Sequence, residues 1–430
     1  MLGLLTFVGC SSESVQGQNK VADGADSGAG GTFDGAAAGL STGGMTLGGG
    51  SAGASSTGGT ATGGTSEHGG SANQDPGGNG GSAGAVSAGA SGASGASVGT
   101  AGVTNSGGAG GSSGSSGGAS APDCNGVTGQ PIITVGPTGA NFQTVQAALN
   151  SLSKTNTTPT QIRIAPATYK EKLSIQIPNI TLCGATGKAS STILTFGDNA
   201  NTSNGNGGTL GTTGGASTTL SSNDVSVENI TFANSTPLGG SQAVALLVTG
   251  NQVQFNHCRF LSFQDTLYVR KAKQYFRDCY VEGTVDFIFG DATAVFDNCT
   301  VHSVGGGTAA TAPNTDQSVP YGLVFLGGQL TAVASIKAGS VALGRNWGAY
   351  GAAAFLNTTL GAHISPVGWQ PMGSNTLATA RFSEYRTVGP GASASALAAR
   401  ASQSKQLTAE QAATYTLDKI FGSWRPSFSQ

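Results

Sequence analysis

From Ala121 onward, short runs of β-branched and aromatic residues are separated by Gly, Asn and Asp. Runs this short, bounded by turn-formers, predict strands. Two segments carry a helical period instead. Phe142, Val145, Ala148, Leu149 and Leu152 fall on one face. Thr408 and Gln411 have capping-box spacing ahead of a helix that ends near Phe421-Gly422. Between these segments the pattern repeats. NITF (Asn229 to Phe232), HCRF (His257 to Phe260), DCYV (Asp278 to Val281) and NCTV (Asn298 to Val301) share one form, and their second residues are spaced 28, 21 and 20. A period near 20 without intervening helices predicts a parallel β-helix, whose coils bury a core only by stacking about 4.8 Å apart. An antiparallel sandwich with coincidental spacing is the competing arrangement.

The first 120 residues differ. They hold 38 of the 72 glycines, and otherwise Ser, Ala and Thr with almost no large apolar side chain. Such a stretch cannot bury enough surface to offset its ordering entropy, so residues 11–120 are expected to form a disordered linker. The opening MLGLLTFVGC is apolar and ends at Cys10 after a small residue. It resembles the end of a bacterial lipoprotein signal, truncated or atypical because it lacks a basic start. On that reading Cys10 is lipidated and residues 121–430 form the folded domain. Gly95-Ala96-Ser97-Val98-Gly99 matches a hydrolase nucleophile pattern but lies in this small-residue stretch, without the strand–turn–helix context the pattern needs. No apolar run reaches the ~18 residues of a membrane-spanning helix. Residues 121–430 carry 18 Lys+Arg against 15 Asp+Glu, too slight an excess to indicate nucleic acid but compatible with a polyanion.

The repeat register points to chemistry. Asp265 and Asp286 each follow a repeat cysteine by seven residues; Tyr268 and Phe289 follow by ten. Stacked coils therefore set two carboxylates side by side, next to two aromatic rings. Gln264 adjoins Asp265, and Gln242 lies about one coil earlier. Neighbouring carboxylates cannot both ionise easily, which leaves one acid and one carboxylate near neutrality. Such a pair suits glycoside cleavage, or ester cleavage by a nucleophilic Asp with Gln N–H groups on the oxyanion. His257 occupies the polar slot shared with Asn229, Asp278 and Asn298, and reads as a turn residue. Metal-ligand spacings are absent. Of the five cysteines after Cys10, at most two of Cys258, Cys279 and Cys299 could pair with each other, or all three could form a buried free stack; Cys124 with Cys183 is a further candidate bridge.

These residues resemble the pectin methylesterase (pectinesterase) family. The matching runs are GSQAVAL from Gly240, FQDTLYV from Phe263, GTVDFIFG from Gly283 and LGRNW from Leu343. PVGW from Pro366, SEYRTVGPGA from Ser383 and QLTAEQAATYT from Gln406 extend the likeness. It covers roughly residues 130–425 and is closer to bacterial members. The resemblance implies an all-β, right-handed parallel β-helix with short flanking helices, which removes methyl esters from polygalacturonate. It implies Asp286 as nucleophile, Asp265 as general acid and then base, and Gln242 and Gln264 as oxyanion donors. Arg345 would orient Asp286; Trp347 would line the sugar cleft, with Tyr268, Phe289 and Trp369 as further aromatic contacts. The family usually has LGRPW, so Asn346 replaces a proline and could loosen the Arg345 turn. TAPNT from Thr311 also lacks the glutamine of the plant TAQ run.

The resulting expectation is an extracellular or cell-surface pectinesterase, lipid-tethered to the outer membrane, acting as a monomer on methyl-esterified pectin. A nucleophilic Asp needs no metal, and no cofactor or nucleic acid is expected. One rival is another β-helical pectin enzyme, a glycosidase or lyase: Asn314-Thr315-Asp316 resembles a polygalacturonase run, but its companion motifs do not follow. The other is a non-catalytic carbohydrate-binding β-helix, for which five retained polar site residues would be superfluous.

Overall fold

The computed structural model describes Cys124 and residues 129–429. The linker of residues 11–120 and the lipidation candidate Cys10 lie outside the described residues. The described strands form three sheets of eleven, eight and eight strands, and every pairing between named strands is parallel. Successive strands visit the three sheets in turn, and each strand pairs with its counterpart one coil away. This is the right-handed β-helix, not the sandwich.

The repeat motif accounts for the coil. Asn229, His257, Asp278 and Asn298 all have φ between 50° and 55°. Each makes the left-handed bend that carries the chain from the first sheet to the third, a conformation that Asn, Asp and His tolerate better than β-branched residues. Asn298 donates its amide to Asp278 Oδ1 along this row at 2.5 Å. The next residue turns inward, so Cys258, Cys279 and Cys299 stack in the core as free, buried thiols. Each thiol donates to a carbonyl of the preceding coil, Val227, Phe255 and Phe276 respectively. Beside them runs a ladder of rings, Phe255, Phe276, Phe296, Phe325 and Phe355, with centroids 4.3–4.8 Å apart. That spacing matches the coil rise of about 4.8 Å, so one aromatic per coil fills the core without gaps.

Both ends are closed. The helix Val145–Asn150 buries Val145, Ala148 and Leu149 near the first coils; Thr144 caps it, and Glu171 accepts the Val145 and Gln146 N–H groups. The Cys124–Cys183 disulfide ties the start of the domain to the first sheet across 59 residues. A loop of that length stabilises by about 4 kcal/mol on chain-entropy grounds. At the other end Arg400 is buried with Glu384 and donates also to the carbonyls of Ser365, Pro366 and Gly391. With Thr387 on Glu384, both charges are hydrogen-bonded; a buried pair is tolerable only when satisfied in this way.

The late helix is two helices, not one. The Thr408–Gln411 capping box starts Ala409–Ala412, and Thr416 caps a second helix, Leu417–Phe421. Thr414 and Thr416 cause the break, since their hydroxyls bond the local backbone in place of a continuing helical ladder. Ile420 and Phe421 then cover Tyr275, Val295 and Val324 on the outer face of the first sheet.

Candidate active site

The site lies on the outer face of the sheet containing Leu246–Val248, Leu267–Val269, Ile288–Gly290, Ala309–Pro313 and Ala342–Asn346. The register aligns Leu246, Leu267 and Ile288, so Tyr268 pairs with Phe289 as the repeat spacing requires. Their rings stack at 4.1 Å, and Trp347 leans over both at 6.0 and 5.9 Å. Val244, Leu247 and Ala312 complete an apolar floor. Trp347 is 37% exposed, open to a partner from solvent.

Asp265 and Asp286 precede these strands by two residues and have φ of 64° and 49°. Asp is among the residues that tolerate this left-handed conformation, so each carboxylate sits in a bend just ahead of its strand. The local sequence enforces the bend. Gly290, at φ 130°, sits so close to Val269 that a Cβ would lie 1.8 Å from its carbonyl oxygen. Only glycine closes the strand that Asp286 opens.

Both carboxylates are buried, Asp265 at 9% and Asp286 at 4% exposure. Arg345 grips Asp286 with two nitrogens: Nε lies 2.9 and 3.1 Å from its oxygens, and Nη2 lies 2.6 Å from Oδ2. Burial pushes both carboxyls above their ordinary range. On Asp286 the guanidinium opposes that push. On Asp265 the neighbouring charge of Asp286 adds to it, and Arg345 offsets it only through space. The first proton therefore leaves Asp286, and Asp265 keeps its own to higher pH.

The remaining expectations divide. Gln264 and Gln242 are half-exposed at the rim. Strand register steps by 21 residues from Leu246 to Leu267, whereas Gln242 and Gln264 are 22 apart, so the glutamines are not directly opposite. Gln242 accepts a bond from Ser241; among the described residues neither glutamine bonds to a carboxylate, which leaves their amides free. Trp369 is a correction. It is 1% exposed and stacks inside the core on Phe382 at 4.2 Å. It pairs with Gly344, whose missing side chain leaves room for the indole, so it cannot touch a sugar in the cleft. Asn346 does not loosen its turn. It is fully buried and donates to the Thr376 carbonyl, while Asn375 donates to the carbonyls of Asn346 and Trp347. Asn375 was not legible as a site residue, since nothing in its sequence surroundings marks it.

A paired acid and carboxylate, an arginine on one of them and an open aromatic floor form an acyl-transfer constellation. Comparison with known proteins bears on the family and not on these residues. The Pectinesterase family model matches residues 132–423. The chain belongs to the pectinesterase family. It is therefore a carboxylic ester hydrolase. Relatives occur in plants and bacteria. Pectinesterase 31 of Arabidopsis thaliana is 37% identical over 266 residues, 59% of this chain and 81% of that protein. Pectinesterase A of Dickeya chrysanthemi is 33% identical over 337 residues, 67% of this chain and 89% of that one. Among solved structures, the pectin methylesterase PemA from Erwinia chrysanthemi aligns with a TM-score of 0.64 at 30% identity, covering 70% of this chain and 99% of that one. A pectin methylesterase in complex with a hexasaccharide aligns at 0.62 and 30% identity, covering 69% and 98%.

Proposed function

We propose that this pectinesterase demethylates methyl-esterified homogalacturonan by an aspartyl mechanism, and the observation that carries the roles is the bidentate grip of Arg345 on Asp286 alone. The ion pair keeps Asp286 ionised and aimed. Its free lone pair attacks the C6 carbonyl of a galacturonate methyl ester, and the carbonyl electrons collect on oxygen. The amides of Gln264 and Gln242 supply donors for that oxyanion. Asp265, still protonated, gives its proton to the methoxy oxygen as the C–O bond breaks, and methanol leaves. The product is an acyl-Asp286 anhydride. Asp265, now a carboxylate, takes a proton from water; the hydroxide attacks the acyl carbon, and Asp286 departs as carboxylate. The balance is one water consumed, one methanol and one galacturonic acid formed. Tyr268, Phe289 and Trp347 offer faces to the sugar rings.

The experiment is product analysis on highly methylated pectin. Methanol release with chain length unchanged is expected. New reducing ends or unsaturated products without methanol would replace this reading by chain cleavage, and no product from folded protein would leave a binding module. The same proposal places the enzyme outside the cytoplasm as a monomer, tethered through lipidated Cys10 and the glycine-rich linker. The Cys124–Cys183 disulfide supports an oxidising compartment.

The Trp347 shelf gives a second expected result. Asn375→Ala removes two hydrogen bonds that hold the turn, each worth about 1 kcal/mol. KM for methylated pectin should rise about three- to tenfold with kcat within about twofold, because Trp347 binds the sugar and does no chemistry. Initial-rate kinetics decide it; an unchanged KM would remove Asn375 from the binding apparatus.

A further inference from the structure

A coil has three sheets, so the corner between the first and the third is the one that the cleft sheet does not touch. At Asn229, His257, Asp278 and Asn298 a single left-handed residue turns this corner. One coil differs: residues 184–191 lead from Ile180–Cys183 in the first sheet to Thr192–Phe196 in the third. This longer loop leans on the row of turns and encloses a cavity of about 320 Å³, at the small end of the range for ligand pockets. Hydrogen bonds fix its shape. Asn229 Oδ1 accepts the Gly187 N–H at 3.1 Å, and the Thr231 hydroxyl donates to the Ala189 carbonyl at 2.8 Å. Arg259 and Tyr280, neighbours in register on the third sheet, line it from below, and His257 stands exposed at its rim.

The uncommitted polar groups of this cavity are donors. Arg259 lies over the Tyr280 ring, 5.3 Å from its centre, and Tyr280 is anchored by donating its hydroxyl to Glu282 at 2.8 Å. The stacked guanidinium keeps its N–H groups for another partner; among the described residues no carboxylate pairs with it and no oxygen accepts from it. Asn229 is only 3% exposed, and its oxygen is used on the loop, but its amide nitrogen has no acceptor among the described residues. The exposed Ser190 hydroxyl is unpartnered in the same sense. One acid lines the cavity, Asp278, and it is taken: Asn298 donates to its Oδ1, and Arg277 Nε lies 3.3 Å from its Oδ2. A guanidinium, a buried amide and a hydroxyl that face one small space are satisfied together by an anion with two acceptor oxygens.

We propose that this cavity is a second, non-catalytic polymer site away from the cleft, in which Arg259 and Asn229 take the carboxylate of an unesterified galacturonate unit. A planar carboxylate accepts two N–H bonds from a guanidinium, and each ester hydrolysed makes one such group. The site therefore holds product polymer while the cleft stays open to ester. The inference rests on the proposed substrate, and its test separates the two. The test is calorimetric binding of a fully de-esterified galacturonan oligomer to the full-length protein. Arg259→Glu should bind one oligomer fewer than the wild type, or bind it at that site about tenfold or more weakly, as for loss of a charge-assisted contact. Asn229→Asp keeps a left-handed turn residue and an acceptor for Gly187 but loses the N–H2, and should weaken the same site. Initial rates on a short methyl-esterified oligomer should stay within about twofold in both variants. Thermal melts confirm the fold, and if Arg259→Glu does not fold, Asn229→Asp decides. Binding unchanged in either folded variant, or absent from the wild type, would overturn the site. Equal displacement of the oligomer by inorganic phosphate would make it an unselective anion pocket and overturn the uronate. A larger fall in both rates would join the cavity to the cleft and overturn it as a separate site. Should the wild type release no methanol, the functional reading fails by itself, and the binding difference between wild type and variants still decides the cavity.

Discussion

Asp286→Asn is expected to lower methanol release by about four orders of magnitude or more with the fold intact. Asn has the same shape, so the strand opened by residue 286 and the glycine that closes it are undisturbed. An amide oxygen carries no charge and does not form the acyl intermediate, and loss of a nucleophile typically leaves only the rate supplied by binding and oxyanion donors. The Arg345 side chain is 23% exposed and can rehydrate when its partner goes. Any destabilisation should then stay near 1–2 kcal/mol, small beside the kinetic loss. KM should change little, since the aromatic floor remains. Methanol assays with parallel thermal melts check this. A variant that retains a rate within about tenfold of wild type, free of deamidated protein, would remove Asp286 from the nucleophile role.

The two carboxylates were legible in the sequence because a β-helix turns linear spacing into lateral contact. Asp265 to Asp286 and Tyr268 to Phe289 are both 21 residues apart, and 21 is the register of the strands that carry them. The stacking of Cys258, Cys279 and Cys299 and the turn row through His257 follow from the same periodicity, whereas Cys124 lies before the repeat and its bridge to Cys183 does not. What escaped reading does not repeat. Arg345 reaches Asp286 across 59 residues, and the family resemblance alone pointed to it. Trp369 reads like a cleft aromatic, but its direction depends on the void over Gly344, which only packing reveals. Gln242 was placed one coil before Gln264 although 22 is not 21. Asn346 looked like a loosened turn because its partners, Asn375 and Thr376, are some 30 residues away and belong to no motif.

Asp265→Asn should do two opposite things at once. Methanol release should fall by about three orders of magnitude, since methoxide is a strongly basic leaving group and a positioned acid typically supplies 10²–10⁴-fold. Stability near pH 7 should rise by about 1–2 kcal/mol, the usual gain from removing a destabilising active-site group. Burial and the charge of Asp286 raise the Asp265 carboxyl well above its ordinary range. A carboxyl raised on folding binds its proton more tightly in the native state than in the unfolded chain. Its favourable contribution is therefore complete below the unfolded value of about 4 and is lost as pH rises through the folded value. The wild type accordingly bears a penalty toward neutral and alkaline pH that the variant escapes, while near pH 3 the two should melt alike. On the proposed mechanism the same group should set the alkaline limb of the wild-type rate profile, where Asp265 gives up the proton it would donate, and Asp286 should set the acid limb. Melting curves between pH 3 and 8 test the sign: a variant less stable than wild type at pH 7, or stabilised equally at pH 3, would mean that Asp265 is not the strained, protonated member of the pair.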